Sequence, residues 1–180
     1  MTEPRKLAKG LVQVYTGNGK GKTTASLGLV FRALGHGLRI HVMQFMKGQT
    51  IYGELETAKS FADRLTIEQV GRAQFVKPGR QTEADREMAQ SAFARAQTLV
   101  SGGDYDLVVL DELNCAVDFG LIGLDVVKKM IRSKPAHTEL VITGRNAHPD
   151  IVELADLVTE MREIKHYYNA GQPARVGIES

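Results

Sequence analysis

Residues 12–24 read VQVYTGNGKGKTT, and the fold follows from how this stretch is read. Val12 and Val14 alternate like a strand and lead into Gly17-Asn18-Gly19-Lys20-Gly21-Lys22-Thr23-Thr24. A helical pattern runs on from Ala25 to Leu34. Strand, glycine loop, helix is the context a phosphate-binding loop requires. Glycines let backbone N–H groups turn inward and line a nest for phosphate oxygens. The start of the helix adds its unpaired N–H groups and the positive end of its dipole. Lys22 supplies a point charge to the outer phosphates, and Thr23 a hydroxyl for a phosphate-bound magnesium. The usual spacing places a glycine where this chain has Thr16, with Gly17 following, so the match is one residue short. A glycine-rich hairpin with solvated lysines is the plain alternative. The strand and helix on either side argue against it.

Outward from this loop, strands and helices alternate. Gly35-His36-Gly37 stops the first helix, and Leu38–Phe45 reads as a buried strand. Met46–Gly53 is a loop, Leu55–Phe61 a short helix and Leu65–Val70 an alternating strand. Gly71–Arg80 is irregular. Thr82 is the N-cap of a long amphipathic helix, with acids in its first turn and Met88, Ala92, Phe93, Ala96 and Leu99 at helical spacing. Gly102-Gly103 ends it. Leu121–Ser133 forms a further helix, broken at Pro135. Thr138–Thr143 is a strand, Asp150–Ala155 a short helix and Leu157–Lys165 a last strand. Residues 1–10 read as a loose polar tail. This alternation predicts an α/β chain with a parallel sheet covered on both faces.

A second hallmark lies at Tyr105–Leu110, a continuous apolar strand that runs straight into Asp111-Glu112. Parallel strands bind ligands at their C-terminal ends. One carboxylate there can hold a magnesium shell, and the other can orient water or substrate. Arg145 follows the next strand and falls at the same edge, where a guanidinium can fork onto a phosphate.

At 180 residues the chain is sized for one α/β domain over 1–180, and its 43% hydrophobic content is that of a globular protein. A net charge of +2 points to neither nucleic acid nor an anionic membrane. Cys115 is the one cysteine, which excludes an intrachain disulfide. No apolar run is long enough to span a membrane, and the N-terminus is no secretory signal, so the expected location is the cytoplasm. These features define a binder of nucleoside triphosphate and magnesium. A small-molecule kinase or NTPase, a molecular switch, a nucleotidyl or adenosyl transferase and a nonenzymatic nucleotide-gated module all share them.

Resemblance separates these readings. TGNGKGKTTASLGLVFRALGHG, VMQFMKG with a following YGE, VVLDELNCAVDFGLI and the closing ITGRNAHPDIVELADLVTEMREIKHYYNAGQPARVGIES are similar to the corrinoid adenosyltransferases of the phosphate-loop type. The resemblance covers the chain from Lys9 onward. It implies a three-layer P-loop NTPase (RecA-like) fold with a mainly parallel central sheet. It also implies adenosyl transfer from ATP to the cobalt(I) of cobalamin or of its precursor cob(I)yrinic acid a,c-diamide, with triphosphate leaving. Such enzymes bind ATP reversed in a short loop, so that the adenosine end faces the corrinoid.

Carried onto this chain, Gly17, Asn18, Gly19, Lys20, Gly21, Lys22, Thr23 and Thr24 hold the triphosphate. Thr23 and Glu112 hold Mg2+ with Asp111 in support, and Lys22, Thr23 and Glu112 carry catalysis. Arg32 lies near the ribose and Arg145 meets a phosphate. The loops Met46–Gly53 and Gly71–Pro78 face the corrinoid. The resemblance also implies a homodimer and a flavoprotein reductant. Many members carry a Gly-Phe-Thr-Trp segment whose aromatics displace the corrinoid's lower ligand. Here the stretch runs from Gly71 to Pro78, Phe75 is its one aromatic, and the chain has no Trp.

Overall fold

The computed structural model describes residues 7–48, 52–71, 79 and 81–179. Its elements are β1 (Val12–Thr16), α1 (Lys22–Gly35), β2 (Ile40–Phe45), α2 (Gly53–Lys59), β3 (Leu65–Val70), α3 (Glu83–Gly102), β4 (Leu107–Asp111), α4 (Leu113–Asp118), α5 (Leu124–Ser133), β5 (Glu139–Thr143), α6 (Pro149–Leu154) and β6 (Leu157–Glu160). The six strands form one sheet in the order β3-β2-β4-β5-β1-β6. Every pairing is parallel. All strands therefore end at one edge, which gathers Thr16, Phe45, Asp111, Thr143 and Glu160.

β2 and β4 are buried at every residue, as strands in the middle of a parallel sheet covered on both faces must be. On one face Val30, Ala33 and Leu34 of α1 pack over Ile40, Val42, Leu107, Val109 and Val141. On the other, Ala92, Phe93, Ala96 and Val100 of α3, with α4 and α5, cover Val14, Met43, Phe45, Val108, Leu110 and Ile142. The expected start of α3 holds: the Thr82 hydroxyl accepts from the Asp85 N–H, and the Asp85 carboxylate accepts from the Thr82 N–H at 2.8 Å. The helix closes on Gly103 in the left-handed conformation, φ 66.

Several boundaries differ from expectation. α1 begins at Lys22, so Lys22, Thr23 and Thr24 are its first turn. α4 lies in a stretch to which the sequence reading assigns no element. α5 begins at Leu124, after Gly123 as N-cap. The supposed loose tail is already docked at Gly10, whose N–H donates to Ala136 O at 2.7 Å. The last strand ends at Glu160 rather than Lys165, because β1, its pairing partner, ends at Thr16. This edge strand also departs from the expected coverage on both faces: Leu157 and Val158 are 44% and 40% exposed.

Candidate active site

The glycine loop sits between the end of β1 and the first turn of α1. Gly17 has φ 94 and Gly21 φ 120, backbone conformations that L side chains rarely adopt. A Cβ on Gly17 would lie 2.4 Å from the carbonyl oxygen of Met161. The Gly19 N–H donates to that same carbonyl at 2.7 Å. The chain just past β6 thus braces the loop from outside, and only glycine leaves room for it.

Lys22 is nearly buried, and its Nζ donates to the carbonyls of Gly17 and Gly19, both at 2.8 Å. The ammonium is folded back over the loop it starts from. Burial pushes its pKa down, partly offset by the charge of Glu112 across the cleft; Arg145 pushes it the same way as burial. Its cation is thus poorly solvated and only lightly countered, and an arriving phosphate relieves it.

Asp111, at the end of β4, is fully buried. Its Oδ1 accepts from the hydroxyls of Thr23 at 2.9 Å and Thr143 at 2.6 Å. Its Oδ2 accepts from Lys47 Nζ at 2.8 Å. Both carboxylate oxygens are therefore committed within the protein. The next residue is different. Glu112 adopts a left-handed conformation, φ 62, and its N–H donates to the Thr143 hydroxyl at 3.0 Å. That sharp turn, just before α4, leaves the Glu112 side chain on the cleft wall. Neighbouring carboxylates are thus divided, one anchoring Thr23 and the other facing the ligand space.

α4 and the loop after β5 are locked together. Gly144 (φ 128) passes so close to α4 that a Cβ would lie 2.9 Å from Cys115 N. Asn114 Nδ2 donates to Gly144 O at 3.4 Å, and the Arg145 N–H donates to Cys115 Sγ at 3.2 Å. Burial, then the charge of Glu112, pushes the Cys115 thiol up to about 12. It stays a protonated thiol, which rules it out as a nucleophile at neutral pH.

These elements border a cleft of about 690 Å3, within the range of small-molecule sites. Residues 18–24, Glu112 and Arg145 all line it, as the sequence led us to expect; Gly17 lies beneath, holding Lys22 through its carbonyl. Lys47 and the start of α2 add to the rim, and His166 and residues 177–179 complete it. Arg32 does not reach this cleft. It stands ten residues along α1 from Lys22, about 15 Å at 1.5 Å per residue. There it lines a separate hollow of about 480 Å3 with His36 and Glu139. Phe75 lies outside the described residues, as do residues 49–51 and 72–78 of the two loops expected to face the corrinoid.

Sequence reasoning missed Lys47 and Thr143. A signal for both was present: each sits at or just past the C-terminal end of a parallel strand, where the binding edge lies. Among the described residues no three His, Cys, Asp or Glu side chains are grouped to hold a metal on their own.

An all-parallel sheet whose first strand feeds a glycine loop and helix, with an Asp-Glu pair ending a central strand, defines an α/β protein of the phosphate-loop-like class. The chain belongs to the ATP:corrinoid adenosyltransferase BtuR/CobO/CobP family, whose model matches residues 8–180. It is similar to the corrinoid adenosyltransferase of Pseudomonas aeruginosa, 40% identical over 171 residues, covering 95% of this chain and 84% of that protein. Likeness to the corrinoid adenosyltransferase of Escherichia coli K12 is 36% over 171 residues, covering 95% of this chain and 86% of that one. A Sinorhizobium corrinoid adenosyltransferase is 40% identical over 173 residues, covering 95% of this chain and 80% of that one.

Proposed function

We propose that the protein transfers the 5′-deoxyadenosyl group of ATP to the cobalt(I) of a corrinoid and releases triphosphate. The observation that carries this reading is the buried Lys22, folded onto the carbonyls of Gly17 and Gly19 inside a loop braced by Met161. A preassembled set of amides and a poorly solvated cation is suited to an anion whose charge grows during reaction.

In this reading the electron pair of cobalt(I) attacks C5′ of the ribose. The C5′–O bond breaks, and its electrons leave on the triphosphate. No proton moves at C5′, so neither a general acid nor a general base is required. Positioning and charge stabilisation are what the chain supplies. The amides of residues 17–24, apart from that of Gly19, which donates to Met161 O, bind the phosphates, Lys22 meets the charge that develops on them, and Arg145 neutralises a further phosphate. Mg2+ would arrive with ATP and spread that charge, held by the Thr23 hydroxyl and Glu112, hard oxygen ligands that suit it. Asp111 acts one step back, fixing the Thr23 hydroxyl.

We further assign the chain to the cytoplasm as one domain over 1–180, working as a homodimer in adenosylcobalamin synthesis or salvage. The described residues include no helix long and apolar enough to cross a membrane. Cobalt(I) is produced outside the chain, by the flavoprotein reductant that the family resemblance implies.

Anaerobic incubation with ATP and chemically reduced cobalamin tests the proposal. The corrinoid spectrum should change to that of the alkylated product, with one triphosphate released per corrinoid. An unchanged corrinoid with ADP or inorganic phosphate formed instead would favour a kinase or NTPase.

A further inference from the structure

Two lysines line the cleft, and they are used differently. Lys22 spends two N–H donors on the carbonyls of its own loop. Lys47, just after β2, has a side chain only 17% exposed. Its Nζ lies 2.8 Å from Asp111 Oδ2 and 5.2 Å from the centroid of the Tyr52 ring. An ammonium has three donors. Among the described residues Lys47 makes one hydrogen bond, to Asp111, so two donors remain on a group that lines the ligand space. Burial pushes the Lys47 pKa down, but the nearby charges of Asp111, Glu54 and Glu112 more than reverse that, leaving it above its ordinary value. The group is a cation at neutral pH.

A bland role is available: Lys47 neutralises the buried Asp111 and does nothing else. Its position argues for more. A structural counter-ion is best sealed from solvent, where its Coulomb attraction is largest. This one stands at the rim, on a turn whose preceding residue, Met46, is held at φ 58. Gly71 packs so tightly behind that turn that a Cβ there would lie 2.9 Å from Lys47 N and Met46 C. The backbone is pinned where the ammonium both touches Asp111 and lines the cleft.

We propose that Lys47 is a second triphosphate-binding residue, its ammonium shared between Asp111 and an oxygen of the bound triphosphate. The inference rests on the function proposed above and deepens it. Transfer of the adenosyl group adds a negative charge to the departing triphosphate. A second cation stabilises that charge without any bond to oxygen forming or breaking at the lysines.

Calorimetric titration with sodium tripolyphosphate, in the absence of magnesium, tests this. Lys47→Gln should weaken binding by about 10- to 100-fold, the size expected of one charge-assisted hydrogen bond, and Lys47→Arg should keep most of the affinity. Because Lys47→Gln leaves a buried Asp111 unpaired, the decisive pair is Asp111→Asn against Asp111→Asn/Lys47→Gln. The single variant sets the reference affinity, and the double variant should bind tripolyphosphate at least tenfold more weakly than the single. Equal affinities for that pair would overturn the proposal and leave Lys47 a counter-ion. Lys22→Ala separates the two readings. If it weakens binding while the Asp111 pair does not differ, only the inference about Lys47 fails. If neither lysine matters, the cleft is not the triphosphate site, and the proposed function fails with it.

Discussion

Two stretches of chain meet at the glycine loop, and they are ordered by opposite means. The loop and α1 grow out of β1, a strand packed between β5 and β6, and α1 buries Val30, Ala33 and Leu34 against the sheet. The segment from Glu163 to Glu179 buries almost nothing: Ile164 is 88% and Val176 95% exposed. It is held by a polar knot instead. Tyr167 donates to the Glu179 carboxylate, the Arg175 N–H donates to it at 2.8 Å, and the Arg175 guanidinium lies 5.1 Å from the Tyr167 ring centroid. Asn169 Nδ2 donates to Glu163 Oε1 at 2.9 Å, and the Glu163 N–H donates to Asn18 Oδ1 at 3.1 Å. Hydrophobic burial fixes the first region as part of the global fold. The second is stabilised by exposed hydrogen bonds and ion pairs, so it is expected to open independently of the core. The lesson is that the cleft has one rigid wall and one adjustable wall.

The largest expected effect breaks the rigid wall at its chemistry. Lys22→Ala should lower the rate of adenosyl transfer by about 10²–10³-fold, the loss typical of one preorganised charge-stabilising donor. Its thermal unfolding should stay close to that of the wild type, which a melting curve would check. Wild-type rates from the folded variant would contradict the role given to Lys22.

Next is Gly17→Ala. The φ of 94 penalises any Cβ by on the order of 1–2 kcal/mol, and the 2.4 Å approach to Met161 O forces the brace apart as well. Both the melting temperature and ATP affinity should fall. If ATP affinity is retained, the brace from beyond β6 is not what shapes the loop.

Thr143→Val tests the second layer of the rigid wall. It removes a donor to Asp111 and the acceptor of the Glu112 N–H, leaving buried polar groups unpaired at a cost of about 1–3 kcal/mol. Thr143→Ser should recover most of that stability. Urea unfolding of the two variants reads the difference directly.

The smallest effects belong to the adjustable wall. Glu179→Gln should leave the global melting temperature unchanged and raise amide exchange only in residues 163–179. A lowered global melting temperature would mean that the knot is coupled to the core. Acid should do the same without mutation. Arg175, then Tyr167, holds the Glu179 carboxyl down to about 2 against an ordinary 4.5. A depressed carboxyl stabilises the fold fully above its unfolded value. That contribution should shrink as pH falls below about 4.5 and be gone near 2. Amide exchange across this window, with the core still protected, is the check.

The same division explains what was legible in the sequence. Periodicity and capping follow from local backbone and burial, so β2, β4, α3 with its Thr82 cap, and the glycine loop can be read directly. Asp111-Glu112 was legible as a site because a buried parallel strand must end at the binding edge. The different roles of those two carboxylates were not. They depend on Thr143 and Lys47, which meet Asp111 only once β2, β4 and β5 are laid side by side. α4 was hidden because six residues between Glu112 and Phe119 carry too few turns for a helical period to register. Arg32 was assigned by resemblance alone, and its position in a separate hollow follows from the ten residues of α1 that part it from Lys22. The Met161–Glu179 segment lacks any apolar period, and its order comes from pairings such as Tyr167 with Glu179 that no spacing rule foretells.

The most direct test of the central claim is a crystal structure with Mg2+ and ATP bound. The account predicts all three phosphates within the amides of residues 17–24, Lys22 turned from the Gly17 and Gly19 carbonyls onto them, and C5′ facing the open mouth of the cleft. A nucleotide with its sugar sealed inside and its last phosphate directed outward would contradict it.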